Sequence, residues 1–231
     1  MMIVRYQPFL WTGSNQPYRI LQQSVLNVIF FGETGAGKSS VINLILGSDK
    51  AKVADGQVVV TLESTVYPVK LDGKTYNLYD TAGLGEPSGG TVDNATAVGN
   101  LYRLVSDLSY SGGVNLLVFV VCCGRVTGAM RKSYGLFYHG FCDSKVPIVI
   151  VVTRCEYVEP TMDRWWIDNE VSFTRDGMSF NGHVCVCAWK GRYNEDLVQE
   201  SEGVVKQLIV QHCMPNGWEK VCHPQSRGLE L

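Results

Sequence analysis

The stretch Gly32-Glu33-Thr34-Gly35-Ala36-Gly37-Lys38-Ser39 has the residue types and the spacing to hold phosphate. Glycines let backbone N–H groups curl inward around oxyanions, and a helix that opens at the end of such a loop adds its dipole. The lysine then supplies a charge for the β- and γ-phosphates of a nucleotide, and the serine hydroxyl a ligand for Mg2+. A second grouping, Asp80-Thr81-Ala82-Gly83, follows 42 residues after Lys38. Its carboxylate is expected to hold the same Mg2+ through a water. The Gly83 N–H is expected to meet the γ-phosphate and to lose it on hydrolysis.

Such groups need rigid elements beneath them. Val25–Phe31 is a continuous apolar run, as in a strand buried on both faces. It leads through the glycine-rich turn into SSVINLILG, which has helix length and a glycine, Gly47, at its stop. Residues 48–60 read as a loop. Thr65–Leu71 and Thr75–Tyr79 flank Asp72-Gly73, a hairpin signal, and Pro68 assigns the first arm to a sheet edge. Residues 83–93 are glycine-rich. Over 95–108, Val98, Leu101, Leu104, Val105 and Leu108 form one helical stripe. Asn115–Cys123, Val146–Thr153 and His183–Ala188 read as further buried strands. Helices are expected over Met130–Cys142, over Met162–Asn169, and where Leu197, Val198, Val204, Val205, Leu208 and Ile209 recur. The alternation predicts an α/β fold with a mostly parallel central sheet, one antiparallel strand and helices on both faces. Ligands of such sheets sit beyond the carboxyl ends of the strands, where both chemical groupings fall.

Composition narrows the function classes. The chain has 231 residues, 45% of them hydrophobic and 18% charged, with a net charge of −2. That excludes a disordered chain, and without a basic excess no nucleic-acid partner is expected. No apolar run is long enough for an integral membrane segment, and the N-terminus lacks the pattern of a signal peptide, so a cytoplasmic location is expected. The eight cysteines, four of them within LLVFVVCC and HVCVCAW, read as small buried hydrophobes. His212-Cys213 and Cys222-His223 fit no usual zinc spacing. His139, His183, His212 and His223 show no nucleophile–base pattern and read as structural. Trp165-Trp166 reads as packing on a short helix, with a partner surface as the alternative.

GETGAGKSSVINLILG, TLESTVYPVKL, YDTAGLGEP, LYRLV, VPIVIVVTRCE, MDRWW and GHVCVCA together resemble a P-loop NTPase G domain of the translation-factor-related class. The likeness is to the septin-like branch, which includes immunity-associated nucleotide-binding proteins and chloroplast import receptors, and to a group of fungal single-domain G proteins. It covers about residues 25–212, leaving 1–24 as an N-terminal extension and 213–231 as a tail. The resemblance implies a Mg2+-dependent GTPase that binds GTP and GDP. It implies phosphate contacts from Glu33, Thr34, Gly35, Ala36, Gly37, Lys38, Ser39 and Ser40, and ordering of residues about 48–62 and 83–95 by GTP. A loop threonine completes the metal shell in this family. Thr61, 19 residues before Asp80, is the first candidate and Thr65 the second, so the metal set is Ser39, Thr61 and Asp80.

The resemblance also implies how the base is read. The family's N/T-K-x-D carboxylate takes two hydrogen bonds from guanine; here the motif is Thr153-Arg154-Cys155-Glu156. Arg154 replaces lysine and can stack on a purine. Glu156 replaces aspartate and carries its carboxylate one methylene further, which weakens guanine selectivity if the geometry is not held. A further motif, Cys187-Ala188, would offer the Ala188 N–H to the guanine O6. Many small GTPases orient the attacking water with a glutamine after D-x-x-G, and here that residue is Leu84. Slow hydrolysis is therefore expected, either raised by an arginine or backbone group from a partner or second copy, or low enough that the protein acts as a self-associating scaffold. Glu86 is a weak substitute for the glutamine. A P-loop kinase or ATPase is the remaining alternative, disfavoured because no arginine-rich lid is present.

Overall fold

In the computed structural model, which describes residues 25–51, 64–83, 94–191 and 194–220, three strands are buried along all or nearly all of their length. These are β1 (Leu26–Phe31), β4 (Leu116–Cys122) and β5 (Ile148–Thr153), and Val, Ile, Leu and Phe fill them because both faces are covered. With β2 (Thr65–Leu71), β3 (Lys74–Asp80) and β6 (Gly182–Cys185) they form one six-stranded sheet in the order β2-β3-β1-β4-β5-β6. All neighbours are parallel except β2 against β3. The hairpin turns at Asp72 and Gly73, with φ of 46° and 74°, the left-handed pair that lets two twisted strands join through two residues. Pro68 sits on the edge strand β2, where its missing N–H costs no ladder bond.

Alternate side chains of β1 feed two cores. Leu26, Val28 and Phe30 pack with α1 (Lys38–Leu46) and α5 (Glu195–His212). Ile29 and Phe31 pack with α2 (Asn94–Tyr110), α3 (Gly128–Tyr134) and α4 (Arg164–Arg175). β1 pairs with β3 on one side and with β4 on the other, so the strand order reverses at β1. The crevice at the carboxyl end of that strand is where α/β sheets place ligands.

Four elements differ from their sequence reading. The segment expected as one helix over Met130–Cys142 is α3 followed by a π-helix over Gly135–Phe141. Phe137 and Phe141, four apart, face the core in either winding, so periodicity could not separate the two. Helix α4 runs on to Arg175; its second half is mostly polar and is anchored by buried Phe173. Strand β6 is a half-exposed edge strand that stops at Cys185, because Val186 and Cys187, though buried, lie beyond its ladder with β5. Past α5 the chain doubles back: Trp218 and Val114 exchange backbone bonds of 2.8 and 3.0 Å, and Asn115 Nδ2 donates to Met214 O at 2.9 Å.

Trp165 and Trp166 are buried, with Trp165 Nε1 donating to Gly124 O at 3.2 Å and Trp166 stacked on His183, as the packing reading requires. His139 Nδ1 lies 2.7 Å from Ser144 Oγ, a pairing not anticipated from the sequence. It is exposed and joins the π-helix, through His139, to the turn just ahead of the amino end of β5, so it stands at the opposite end of the sheet from the glycine-rich loop. Cys142, Cys155, Cys185 and Cys187 are buried as expected, whereas Cys122, Cys123 and Cys213 are only half-buried; all seven are free thiols. Among the described residues no cluster of His, Cys, Asp or Glu is arranged to hold a metal, and no helix is long and apolar enough to cross a membrane. Cys222 and His223 lie outside the described residues.

Candidate nucleotide-binding site

The glycine-rich loop is clamped between β1, β4 and β5. A Cβ on Gly32 would stand 2.1 Å from Val120 O, so only glycine lets the loop leave β1 alongside β4. Gly37 has φ of 91° and a hydrogen-only face turned to Thr153, whose Cγ2 would be 3.1 Å from an added Cβ. Thr153 Oγ1 donates to Ala36 O at 2.8 Å, with Val121 O second at 3.3 Å. This threonine, expected from sequence at the base, thus braces the phosphate loop from the end of β5. Arg154 has φ of 62°, and its Nη2 donates to Gly35 O at 3.1 Å, so the guanidinium lies across the same loop.

Lys38 is 7% exposed and folds back on its own loop, donating to Glu33 O at 3.0 Å and Gly32 O at 3.3 Å. Burial pushes its pKa down to about 8, opposed by the nearby charges of Asp80, Cys122 and Glu33. Beside it, Ser39 Oγ donates to Asp80 Oδ2 at 2.5 Å. Burial raises the Asp80 pKa, while the Ser39 hydroxyl and Lys38 pull it down. A hydroxyl and a carboxylate side by side are hard oxygen donors, a set that suits Mg2+ rather than a soft metal. Thr81 Oγ1 donates to Phe30 O at 2.8 Å and pins the end of β3 to β1. Thr65 is the cross-strand register partner of Asp80. Thr61, Leu84 and Glu86 lie outside the described residues, as do residues 52–63 and 84–93.

At the other end, burial raises the thiol pKa values of Cys123 and Cys187, and the nearby negative charge of Glu156 adds to the rise. The Cys187 N–H is taken by Ser201 Oγ at 3.0 Å, whereas the Ala188 N–H has no partner among the described residues. The structure thus brings the phosphate loop, Asp80, Gly83, Thr153, Arg154, Glu156, Cys187 and Ala188 to the carboxyl end of the sheet. Ser40, in the first turn of α1, is half-buried directly behind Ser39. Two contributors escaped the sequence reading. Thr127 caps α3 by accepting from Met130 N at 3.1 Å and donates to Glu33 Oε1 at 3.0 Å, which ties the loop after β4 to the phosphate loop. Its place one residue before a helix was a readable capping signal. Cys122, whose thiol donates to Gly35 O at 3.4 Å, carried no such signal.

A family model described as 50S ribosome-binding GTPase matches residues 27–154, more than half of the chain. The chain belongs to this GTPase family. Its matched region runs from β1 through Arg154 and so contains both phosphate groupings and the start of the base motif. GTPase Der from Halothermothrix orenii is 26% identical over 185 residues, which is 79% of this chain and 40% of that protein. The chain therefore spans well under half the length of that relative. Among solved structures, Toc33 from Arabidopsis thaliana in complex with GDP and Mg2+ superposes with a TM-score of 0.61 at 15% identity, over 85% of this chain and 88% of that one. A variant of Aquifex aeolicus Era bound to GDP and AlF4− gives 0.58 at 18% identity, over 90% and 62%. For the chloroplast translocon components atToc33 and psToc159, dimerization is important for the GTPase activity (TM-score 0.59, 16% identity, 80% and 83% covered). At such identities the structural likeness carries the fold: an α/β P-loop G domain with one antiparallel strand.

Proposed function

We propose that this protein binds guanine nucleotide with Mg2+ and hydrolyses GTP slowly to GDP and phosphate, acting as a switch of the septin-like kind in the cytoplasm. The observation that carries the reading is the Ser39–Asp80 contact beside the buried Lys38. An oxygen pair for a divalent cation and a charge for phosphate meet at the mouth of one backbone loop. Ser39 and Asp80 would hold Mg2+, with Thr61 or Thr65 as the further ligand. Mg2+, when bound, neutralises charge on the β- and γ-oxygens. Arg154 and Glu156 would read the base from one side and Ala188 N–H from the other, with Thr153 acting through the phosphate loop.

The test is GTP and ATP affinity of the wild type and of Lys38→Ala. GTP preferred over ATP, with at least about 100-fold weaker binding in the variant, supports the reading; equal GTP affinity in the two proteins overturns the cradle.

A second reading, a near-inactive scaffold that self-associates through the nucleotide face, is favoured by one specific observation. Tyr157 is 87% and Trp189 66% exposed, each next to a base-reading residue. Arg125, exposed on the loop that Thr127 ties to Glu33, has no ion pair among the described residues. Exposed Tyr, Trp and Arg are the residues that anchor interfaces. Hydrolysis measured against protein concentration separates the readings: a rate per molecule that climbs marks dimer-assisted turnover, and negligible turnover at all concentrations marks the scaffold.

A further inference from the structure

The phosphate loop has four polar side chains ahead of Ser40, and three of them are already committed. Lys38 turns back onto the carbonyls of Gly32 and Glu33. Ser39 donates to Asp80. Glu33 accepts from Thr127 on the far side of the loop. Thr34 is exposed, and its hydroxyl has no hydrogen-bond partner among the described residues. That hydroxyl faces Gly83: a Cβ built there would lie 2.2 Å from Thr34 Oγ1 and 2.5 Å from Thr34 N. An uncommitted hydroxyl of the loop that would cradle the phosphates therefore lies against Gly83, the residue whose amide would meet the terminal one. The next residue in the sequence, Leu84, has no polar side-chain group.

We infer that the Thr34 hydroxyl lines up the attacking water against the terminal phosphate, supplying the polar contact that Leu84 does not. The inference rests on the GTPase reading above and deepens it. In the step, the water oxygen forms a bond to the γ-phosphorus while the bond from that phosphorus to the β–γ bridging oxygen breaks. The bridging oxygen leaves with GDP, and the water proton passes to the phosphate released. Thr34 keeps its own proton: it accepts from the water and donates to a γ-oxygen, so its contribution is orientation. The contact exists only when a γ-phosphate is present, so the hydroxyl acts on turnover and not on diphosphate binding.

Two variants at this exposed position separate the hydroxyl from its bulk. Thr34→Val keeps the shape and removes the hydroxyl; Thr34→Ser keeps the hydroxyl. Single-turnover hydrolysis at saturating GTP is expected to slow about tenfold or more in Thr34→Val. Thr34→Ser should stay within about threefold of wild type, and the slowing in Thr34→Val should exceed any change in its GDP affinity. A wild-type rate in Thr34→Val, or equal losses in Val and Ser, overturns the inference while leaving the GTPase reading standing. A wild-type protein that binds no GTP overturns that reading, and this inference with it.

Discussion

Replacing Thr153 with valine removes one hydroxyl and almost nothing else, because the Cγ2 that packs on Gly37 is retained. The hydroxyl lies in a site 2% exposed and gives its proton to Ala36 O at 2.8 Å across 117 residues of chain. Without it, a buried carbonyl of the phosphate loop loses its partner, and water cannot easily take its place. Such a loss costs about 1–2 kcal/mol, which in a domain of this size lowers Tm by about 2–8 °C. The functional consequence follows from where the carbonyl sits. Ala36 is in the loop that would grip phosphates, so binding of GTP, GDP and ATP should weaken together by about 5- to 30-fold at 1.4 kcal/mol per tenfold. The ratio between guanine and adenine nucleotides should not change. Urea titration and calorimetric affinities for the three nucleotides provide the assay. A changed GTP-to-ATP ratio with unaltered stability would refute the brace and return Thr153 to base recognition.

Glu156→Gln keeps the size of the side chain and removes the charge beside Cys187. Guanine preference over adenine should fall about tenfold or more with stability unchanged, and an unaltered ratio would remove Glu156 from base reading. Lys38 sets a pH dependence in the nucleotide-free, metal-free protein. Its folded pKa is lowered to about 8 from 10.5, so between those values the unfolded chain holds a proton that the folded one has released, and stability rises with pH. From pH 8 to 9, wild type should gain about 1 kcal/mol relative to Lys38→Met, measured by urea unfolding of both; parallel stability profiles would contradict the buried charge. Gly217→Ala would set a methyl 2.1 Å from Gly112 O, at the opposite end of β4 from the site. It should lower Tm by several degrees and leave GTP affinity within about twofold.

What could be read from sequence was local. The all-apolar strands β1, β4 and β5, the Asp72-Gly73 hairpin and the stretch from Gly32 to Ser39 each declare themselves within a dozen residues. What could not be read was non-local or degenerate. The Thr153–Ala36 bond and the Asn27–Asn115 bond, from Asn27 N to Asn115 Oδ1 at 2.7 Å, join positions 117 and 88 residues apart. No spacing rule reaches that far. The strap past α5 escaped notice because Asn115 and two close-packed glycines, Gly113 and Gly217, hold it without an apolar pattern. The run His183–Ala188 looked like a central strand because edge and centre differ in pairing partners and not in composition. The brace that Thr153 provides is hidden for a related reason. A threonine at a strand end matches the base motif by position, and nothing local shows that its hydroxyl hydrogen-bonds sideways into the phosphate loop.

The most direct measurement is calorimetric titration of the wild-type protein with GTP and, separately, ATP in the presence of Mg2+. The geometry predicts one site per chain, GTP bound in preference to ATP, and loss of the heat when Mg2+ is chelated or Asp80 is replaced by alanine. Absence of heat with either triphosphate, or binding that is indifferent to Lys38, Ser39 and Asp80, would contradict the account.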